Sequence, residues 1–539
     1  MSVDKLTSEN LAVWTGAVTQ KGTRGRGSNS KQQMTGIKKL RELILELAVR
    51  GKLVPQEPGD EAAEVLIGRI AEARSKLIKA KLIRNPKDID PISEEEKAFR
   101  EPDGWVWDRL GNLGQIVGGG TPKSADPSCW SDDGVAWLTP ADLYGVSEKS
   151  ISCGRRQLSQ KGLDTSSATL MPKGTVLFSS RAPIGYVAIA GAELATNQGF
   201  KSCVPYLEGL SEYLYYFLRR SASQIEAAAS GTTFKEISGS GMARICVPVP
   251  PLAEQHRIVA KVDELMALCD QLEHQQSGSL QAQQTLIETL LRTLVEAGDA
   301  NDTQQAWNRI AEHFDTLFTT EESIDQLKQT VLQLAATGKL VDRSGAWKAS
   351  ALVDVAAAVV DCPHSTPKWT EIGEICVRTS QFKPGQLDLT DSRFVSAETY
   401  AERTRKIEPK PGDILYSREG GILGVACRVP PETKLCLGQR MLLIRTGERL
   451  TSEFLELVLN SPLIREIAQI KTTGGAAPRV NVSTVKNYPI PTPPIVEQNR
   501  IVDKVADLTA LCDTLKARIQ QAQITQAQLA DAIVEQAVA

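Results

Sequence analysis

Two stretches of the chain place apolar residues alternately three and four positions apart for several turns. In the first, the stripe is Ile258, Val262, Leu265, Cys269 and Leu272. In the second it is Ile501, Val505, Leu508, Cys512 and Leu515, continuing through Ile519 and Ala522 to Leu529 and Ile533. Such steps are the a/d pattern of a coiled-coil seam, so both stretches predict long helices that pair with each other. Pro250-Pro251 and Pro493-Pro494 mark the helix entries, because proline fits a first turn and blocks helix before it. The first helix is expected to run to about Val295, across a weak Gln/Ser/Gly patch at 275–279. That is roughly 65–70 Å of helix. A shorter stripe appears twice: Ile37, Leu40, Ile44, Leu47 and Ile324, Leu327, Val331, Leu334. Gly51 and Gly338 follow as helix stops, and these short helices are expected to join the same bundle. Between them the pattern changes. Regions 105–249 and 347–491 hold short apolar runs such as GTVLFSS, YVAIAG, DILYS and RMLLIRT, bounded by Gly, Pro, Ser and Asp. These predict strands and turns. One helical segment stands in each, SEYLYYFLRRSASQIEAAA and SEFLELVLNSPLIREIAQI.

The doubled patterns are one duplication. PPLAEQHRIVAKVDELMALCDQL at 250–272 returns as PPIVEQNRIVDKVADLTALCDTL at 493–515. LRELILELAVRGKLV at 40–54 returns as LKQTVLQLAATGKLV at 327–341. Weaker pairs link 173–188 to 411–426, and SGTTFKEIS at 230–238 to TGGAAPRVN at 473–481. All four keep the same order, so each half reads short helix, globular region, Pro-Pro, long helix. The fold class is α+β, an internal tandem repeat with pseudo-two-fold symmetry. The expected boundaries are a flexible basic arm at 1–36, a helical region at 37–104 and a first globular domain at 105–249. A central helical region at 250–346, a second globular domain at 347–491 and a distal helix at 492–539 follow.

Composition mostly excludes. The 539 residues suit two to four domains, and 41% hydrophobic with 24% charged is ordinary for a folded protein. A net charge of −3 does not advertise nucleic-acid binding, although an average hides local faces. One basic segment, KGTRGRGSNSK at 21–31, reads as a flexible arm. Ten scattered cysteines without CxxC pairs, no apolar run long enough for a membrane span, and the start MSVDKLTSEN together predict a cytoplasmic protein with reduced thiols. The four histidines lack metal-ligand spacing, so no metal is expected. There is no GxxxxGK[ST] phosphate loop and no Asn/Asp-Pro-Pro-aromatic methyltransfer motif. The Gly-rich VGGGTPKSADP at 117–127 lacks a dinucleotide-binding context and reads as a loop. No Ser/His/Asp or Cys/His set recurs between the halves. A binding protein is favoured over an enzyme.

The remaining chemistry is polar and basic, on loops. In the first globular region the candidates for DNA contact are Arg155, Arg156, Ser180, Arg181, Asn197, Gln198, Lys201, Thr232, Thr233 and Lys235. In the second they are Arg378, Ser380, Gln381, Arg418, Gln439, Arg440, Thr473 and Arg479. Such side chains read base edges and hold phosphates. Singly, each is more often a solvated loop residue; the set on matched loops of two modules carries the weight. The helices have stayed alike while the globular regions have drifted. That division fits one shared task for the helices and two distinct recognition tasks for the globules.

The repeated PPxxEQxRIVxKVxxLxALCDxL helix start, the repeated LAxxGKLV helix end and SGTTFKEIS before the first proline pair resemble the specificity (S) subunit of Type I restriction–modification systems. VGGGTPKSADPSCW and GVAWLTPADL resemble the start of a target-recognition domain in that family. The resemblance covers nearly the whole chain. It implies two target-recognition domains held apart by a long antiparallel two-helix coiled coil, each domain binding one half of a bipartite, asymmetric DNA sequence. It implies two modification (M) subunits docked on the shared helices and restriction (R) subunits joining them. S-adenosylmethionine, ATP and Mg2+ would sit on those partners, with no cofactor and no catalysis on this chain. The second domain departs from the first, with TGGAAPR where the first has SGTTFKE, so loop roles do not transfer between them. Two alternatives stay open: a self-dimerising DNA-binding or scaffold protein, and a degenerate enzyme with an unusual site.

Overall fold

The computed structural model describes residues 3–21, 31–229, 235–298, 300–472 and 478–538. The helices that carry the argument are α1 (Thr35–Val49), α2 (Ser211–Ala228), α3 (Leu252–Glu296), α4 (Glu321–Thr337), α5 (Ser452–Asn460), α6 (Pro462–Ile470) and α7 (Ile495–Val538). α3 is continuous through the Gln/Ser/Gly patch. The chain forms two compact units: Met1–Gln20 with Gln32–Gln276 and Thr525–Ala539, and Lys21–Lys31 with Ser277–Ile524. Each long helix therefore begins in one unit and ends in the other.

In the first unit, a five-stranded sheet runs Gly114–Gly118, Lys201–Pro205, Val176–Ser180, Ile184–Ala190, Ser150–Ile151. Its Val176, Phe178 and Ile184 share a core with Tyr213, Leu214 and Phe217 of α2. A three-stranded sheet of Leu194–Thr196, Trp130–Leu138 and Arg156–Leu158 stands beside it. Cys246–Val249 pairs antiparallel with Val106–Arg109, so the first and last strands of the globular region close on each other. In the second unit Ala349–Ala351 and Pro489–Pro491 do the same. There the main sheet runs Ala356–Asp361, Met441–Thr446, Ile414–Ser417, Ala426–Arg428. The segment expected as one helix is two, α5 and α6, because Pro462 starts a new helix after Ser461.

The helical seam is completed by a third partner in each unit. Ile258, Val262, Leu265 and Cys269 are buried in one cluster with Ile37, Leu40, Ile44 and Leu47 of α1, and Leu272 packs against it. Ala530 of α7 belongs to the same cluster, with Ile533 and Val534 against it. In the second unit Cys512 joins Ile324, Leu327 and Leu334 of α4 and Ile287, Leu291 and Leu294 of α3, with Leu515 and Ile519 alongside. Ile501 and Val505 are buried nearer the second globular region, with Leu508 against that core. Burial pushes the Cys269 thiol up to about 11 and raises that of Cys512 as well, so both act as apolar core residues.

Direction follows from the ion pairs. Arg41 of α1 meets Asp270 and Glu273 of α3, each at 2.6 Å, whereas Gly51 just beyond α1 lies against Trp105, which bonds Glu254 near the start of α3. α1 and α3 are thus antiparallel. Lys39 pairs with Asp531, and Lys52 donates to the Val538 carbonyl at 2.8 Å, so α7 runs along α1 in the same direction. The two long helices are therefore antiparallel in this unit. The second unit repeats the logic. Lys328 pairs with Asp513 and Lys516 with Asp325, while Lys339 donates to the carbonyls of Val295 and Ala297. Lys52 and Lys339 are the lysines of the two GKLV motifs. Each caps the C-terminal carbonyls of the long helix from the other repeat, where a cation complements the helix dipole by about 0.3–1 kcal/mol.

The repeated Glu-Gln after each proline pair fixes the helix entries. Gln255 donates to the Pro250 carbonyl and Gln498 to that of Pro493, both at 2.9 Å. Glu254 accepts from the Trp105 indole at 3.0 Å, and Glu497 from that of Trp347 at 2.9 Å. The two carboxylates are nevertheless shifted in opposite directions. Burial raises Glu254 above the ordinary carboxylate range, and the Trp105 N–H only partly offsets it. The Ser344 hydroxyl and N–H, with the Trp347 N–H, hold Glu497 below that range. The contribution of Glu254 is thus complete below its unfolded value and is lost as pH rises through its raised folded value. That of Glu497 is present above its unfolded value and is lost as pH falls through its lowered folded value. Hydrogen exchange at the Trp105 and Trp347 indoles between about pH 4 and pH 7 is expected to show the split. Glu254→Gln protects Trp105 at neutral pH; Glu497→Gln exposes Trp347 there. Matching pH profiles at both indoles would contradict it.

The segment expected as a flexible arm is partly folded. Val3–Glu9 and Leu11–Gly16 are helices, and Leu6 and Trp14 are buried in the first unit's core. The apolar side chains order it; residues 22–30 of the basic stretch lie outside the described residues.

Candidate nucleic-acid interface

In the first unit the strand Val176–Ser180 ends at Arg181, beside two neighbouring segments. Ser180 N–H donates to the Gly199 carbonyl at 2.7 Å, and its own carbonyl accepts from Ile237 N–H at 3.1 Å. This brings together the ends of three loops and four candidates. Arg181 and Lys201 reach the two carboxylate oxygens of Glu236, at 3.9 and 3.3 Å, and Lys235 is exposed next to it. Asn197 accepts from Gly199 N–H at 2.9 Å, which shapes the turn, while the exposed Gln198 meets the Thr121 hydroxyl. Gly199 stands against the Pro140 ring, and the Pro140–Leu143 turn presents Asp142 to Arg155. Arg155 is 80% exposed; Arg156 lies 3.2 Å over the Trp130 ring. Ser180 itself is fully buried and does not reach solvent. Thr232 and Thr233 lie outside the described residues.

The second unit builds the same crossing from different residues. Arg418 N–H donates to the Arg440 carbonyl at 3.1 Å, and its carbonyl accepts from Val480 N–H at 2.9 Å. The Arg418 guanidinium is buried, held by Asp361 at 3.1 and 3.3 Å and by Glu419 at 3.0 Å. Arg440 is 62% exposed, 3.9 Å from Glu419, with its backbone at φ 68°, a region that residues other than glycine rarely adopt. Gln439 donates to the His364 carbonyl. Arg479 is exposed and bridges Glu419 through the backbone. Arg378 pairs with Asp391 at 2.8 Å, and Ser380 is exposed beside it. Gln381 is buried, where it accepts from Arg378 N–H and closes its own turn. Thr473 lies outside the described residues.

The candidates therefore divide. Arg155, Arg156, Gln198, Lys235, Ser380, Arg440 and Arg479 face solvent; Arg181, Asn197, Lys201, Arg378 and Gln439 are half-buried; Ser180, Gln381 and Arg418 are buried. The acids that organise them, Glu236, Glu419 and Asp361, were missed by a search for cations and amides. Among the described residues no group of His, Cys, Asp and Glu is arranged to hold a metal ion, and no helix is long and apolar enough to cross a membrane.

Two αβ modules, each closed by the pairing of its first and last strands and each set in a unit with helices of both repeats, make this a duplicated αβ scaffold. The chain belongs to the family of the Type I restriction modification DNA specificity domain, which matches residues 102–282 and 369–526. The EcoEI specificity subunit of a Type I restriction enzyme from Escherichia coli is 31% identical over 610 aligned residues, covering all of both chains. The EcoAI specificity subunit, also from Escherichia coli, is 31% identical over 607, again covering both fully. The MjaIX specificity subunit of Methanocaldococcus jannaschii is 38% identical over 159 residues, 29% of this chain and 37% of that one. A solved chain from a type I R-M system, studied for complex assembly and conformational transition, covers 82% of this chain and 99% of its own at 20% identity. Its TM-score of 0.51 supports the fold. The repeated motifs thus identified the family correctly: this is a Type I specificity subunit, and DNA recognition is its work.

Proposed function

We propose that the chain reads a bipartite, asymmetric DNA sequence, one half with each αβ module, and scaffolds two adenine-methyltransferase (M) subunits and the restriction (R) subunits. The observation that carries this reading is the contrast within the duplication. Two bundle contacts recur at aligned positions, Arg41–Asp270 as Lys328–Asp513 and the cap of Lys52 as that of Lys339. The loop crossings do not: Arg181 with Glu236 stands where the second module has Glu419 with Arg479. A pseudo-two-fold scaffold offers equivalent faces to two copies of one partner, while unlike loops read unlike bases. Partners supply S-adenosylmethionine, ATP and Mg2+ chemistry; this chain supplies none and acts in the cytoplasm. A net charge of −3 is compatible with this division, because the loop cations are local and partners add basic surface around the duplex.

The test is to look for an adenine methyltransferase gene beside the one for this chain and to express the two together. The expected results are co-purification of two methyltransferase copies per chain and adenine methylation at one two-part sequence. Methyl transfer by the chain alone, or methylation at a continuous palindrome, would sink the reading.

A further inference from the structure

The two loop crossings occupy equivalent positions with their charges exchanged. Ser179 and Ser417 hold matching places in the aligned segments 173–188 and 411–426, so Arg181 aligns with Glu419. SGTTFKEIS and TGGAAPRVN align Glu236 with Arg479. The backbone confirms the register independently, because Arg181 bridges Glu236 as Glu419 bridges Arg479. One carboxylate thus stands at each crossing, contributed from opposite sides. Glu236 gathers Arg181 at 3.9 Å and Lys201 at 3.3 Å. Glu419 gathers Arg418 at 3.0 Å and Arg440 at 3.9 Å. Neither carboxylate is buried away: the side chains are 39% and 22% exposed.

An acid on a surface meant for DNA repels phosphate, so its presence at both crossings asks for a reason. A free arginine or lysine there would bind phosphates of any sequence. One whose direction is fixed by a carboxylate is presented in a single orientation, which base-edge hydrogen bonding requires. The left-handed backbone of Arg440 fits the same account, since such strain is kept where a side chain must be aimed.

We propose that Glu236 and Glu419 are positioning residues for DNA readout. Each biases the direction of its module's cations, giving up non-specific affinity for discrimination, and the segment that bears the acid decides which cations are aimed. This rests on the DNA-recognition reading above. The two acids differ in one respect. Arg418 keeps Asp361 as a second holder, so loss of Glu419 frees mainly Arg440, whereas loss of Glu236 frees both Arg181 and Lys201.

The experiment uses the full chain, with whatever subunits it retains on purification, and two readouts. One is selection from a randomised duplex pool. The other is the salt dependence of binding to a fixed duplex of arbitrary sequence. Glu236→Gln is expected to blur the half-site of the first module about tenfold or more and leave the other half sharp, and Glu419→Gln the converse. Binding to the arbitrary duplex strengthens at low salt. Its log–log salt slope steepens by about 0.9 for each cation that gains a phosphate, up to two for Glu236→Gln and about one for Glu419→Gln. Glu236→Asp, which keeps the charge, restores discrimination. A merely structural role would weaken both halves or lower non-specific binding, and a merely repulsive role would strengthen binding with both halves still sharp; either result overturns the proposal. If the unmodified chain selects no two-part sequence, the recognition reading itself fails, and this inference with it.

Discussion

Replacing residues 105–249 with the matching region of a relative changes one half of the recognised DNA sequence and leaves the other half intact. The graft is physically clean because the first and last strands of this region, Val106–Arg109 and Cys246–Val249, pair with each other. It is tied to the bundle by a shared apolar core, in which Tyr213, Phe217 and Leu218 of α2 join Leu40 and Ile44 of α1, and by a set of polar contacts. Arg220 of α2 grips Glu46 of α1 at 2.6 and 3.0 Å, and Lys149 reaches Asp263 of α3 at 2.6 Å, with Tyr216 on the same carboxylate. Trp105 holds Glu254. A donor that keeps these contacts seats on the same scaffold. Each mismatched base pair costs roughly 1–3 kcal/mol, so a half-site of about three pairs shifts preference by some 10²–10⁶ in affinity. Mapping methylated adenines in cells carrying the hybrid with its methyltransferase reads the outcome directly. A change in both halves would mean that the modules are coupled and that the two-module account is wrong.

The same duplication explains what the sequence revealed and what it hid. The seam from Ile258 to Leu272 was legible because burial imposes its period on the chain. What the period does not encode is the identity of the opposing surface. The short stripes were expected in the same bundle, and α1 and α4 do complete the seam, but which faces of the long helices they cover was not encoded in the period. The Glu-Gln after each proline pair was visible as a repeat, but its role was not, since Trp105 and Trp347 lie 149 and 150 residues away. Pro462 splits SEFLELVLNSPLIREIAQI in two, because proline cannot continue a helix from Ser461, whereas the aligned segment of the first region has no proline. The candidate surface was legible only as residue types. Arg418 and Arg440 look alike in sequence, yet one is buried between two acids and the other projects from a left-handed turn. Ser180 is buried where the segments of Gly199 and Ile237 cross its strand, and Gln381 where it closes its own turn on Arg378 and Asp388. Glu236 stands within SGTTFKEIS, but nothing in that motif shows that Arg181 and Lys201, far off in the chain, meet on its carboxylate.

Inserting one residue into α3 between Gln276 and Gln283 is expected to disrupt the helical scaffold, whereas inserting seven residues into both long helices is expected to preserve it. One residue rotates everything beyond it by about 100°. Ile287, Leu291 and Leu294, at 2%, 5% and 0% exposure, would then leave the core they share with α4. At about 1.5–3 kcal/mol for each side chain, the loss is about 5–9 kcal/mol, comparable with the whole stability of a domain. Seven residues turn the helix by about 700°, within some 20° of two full turns, so the stripe returns to its face with about 10 Å of helix added. α3 and α7 each contribute residues to both units, so α7 is lengthened as well, between Gln520 and Thr525. Otherwise Ala530 and Ile533 could not keep their places against α1. With both insertions the Lys52 and Lys339 caps survive, the two half-site sequences stay the same, and the interval between them changes. Thermal unfolding separates the first variant from the second, and methylation mapping reads the interval. An unchanged melting profile after the single insertion would refute the shared seam, and an unchanged interval after the paired heptads would refute the long helices as the determinant of spacing.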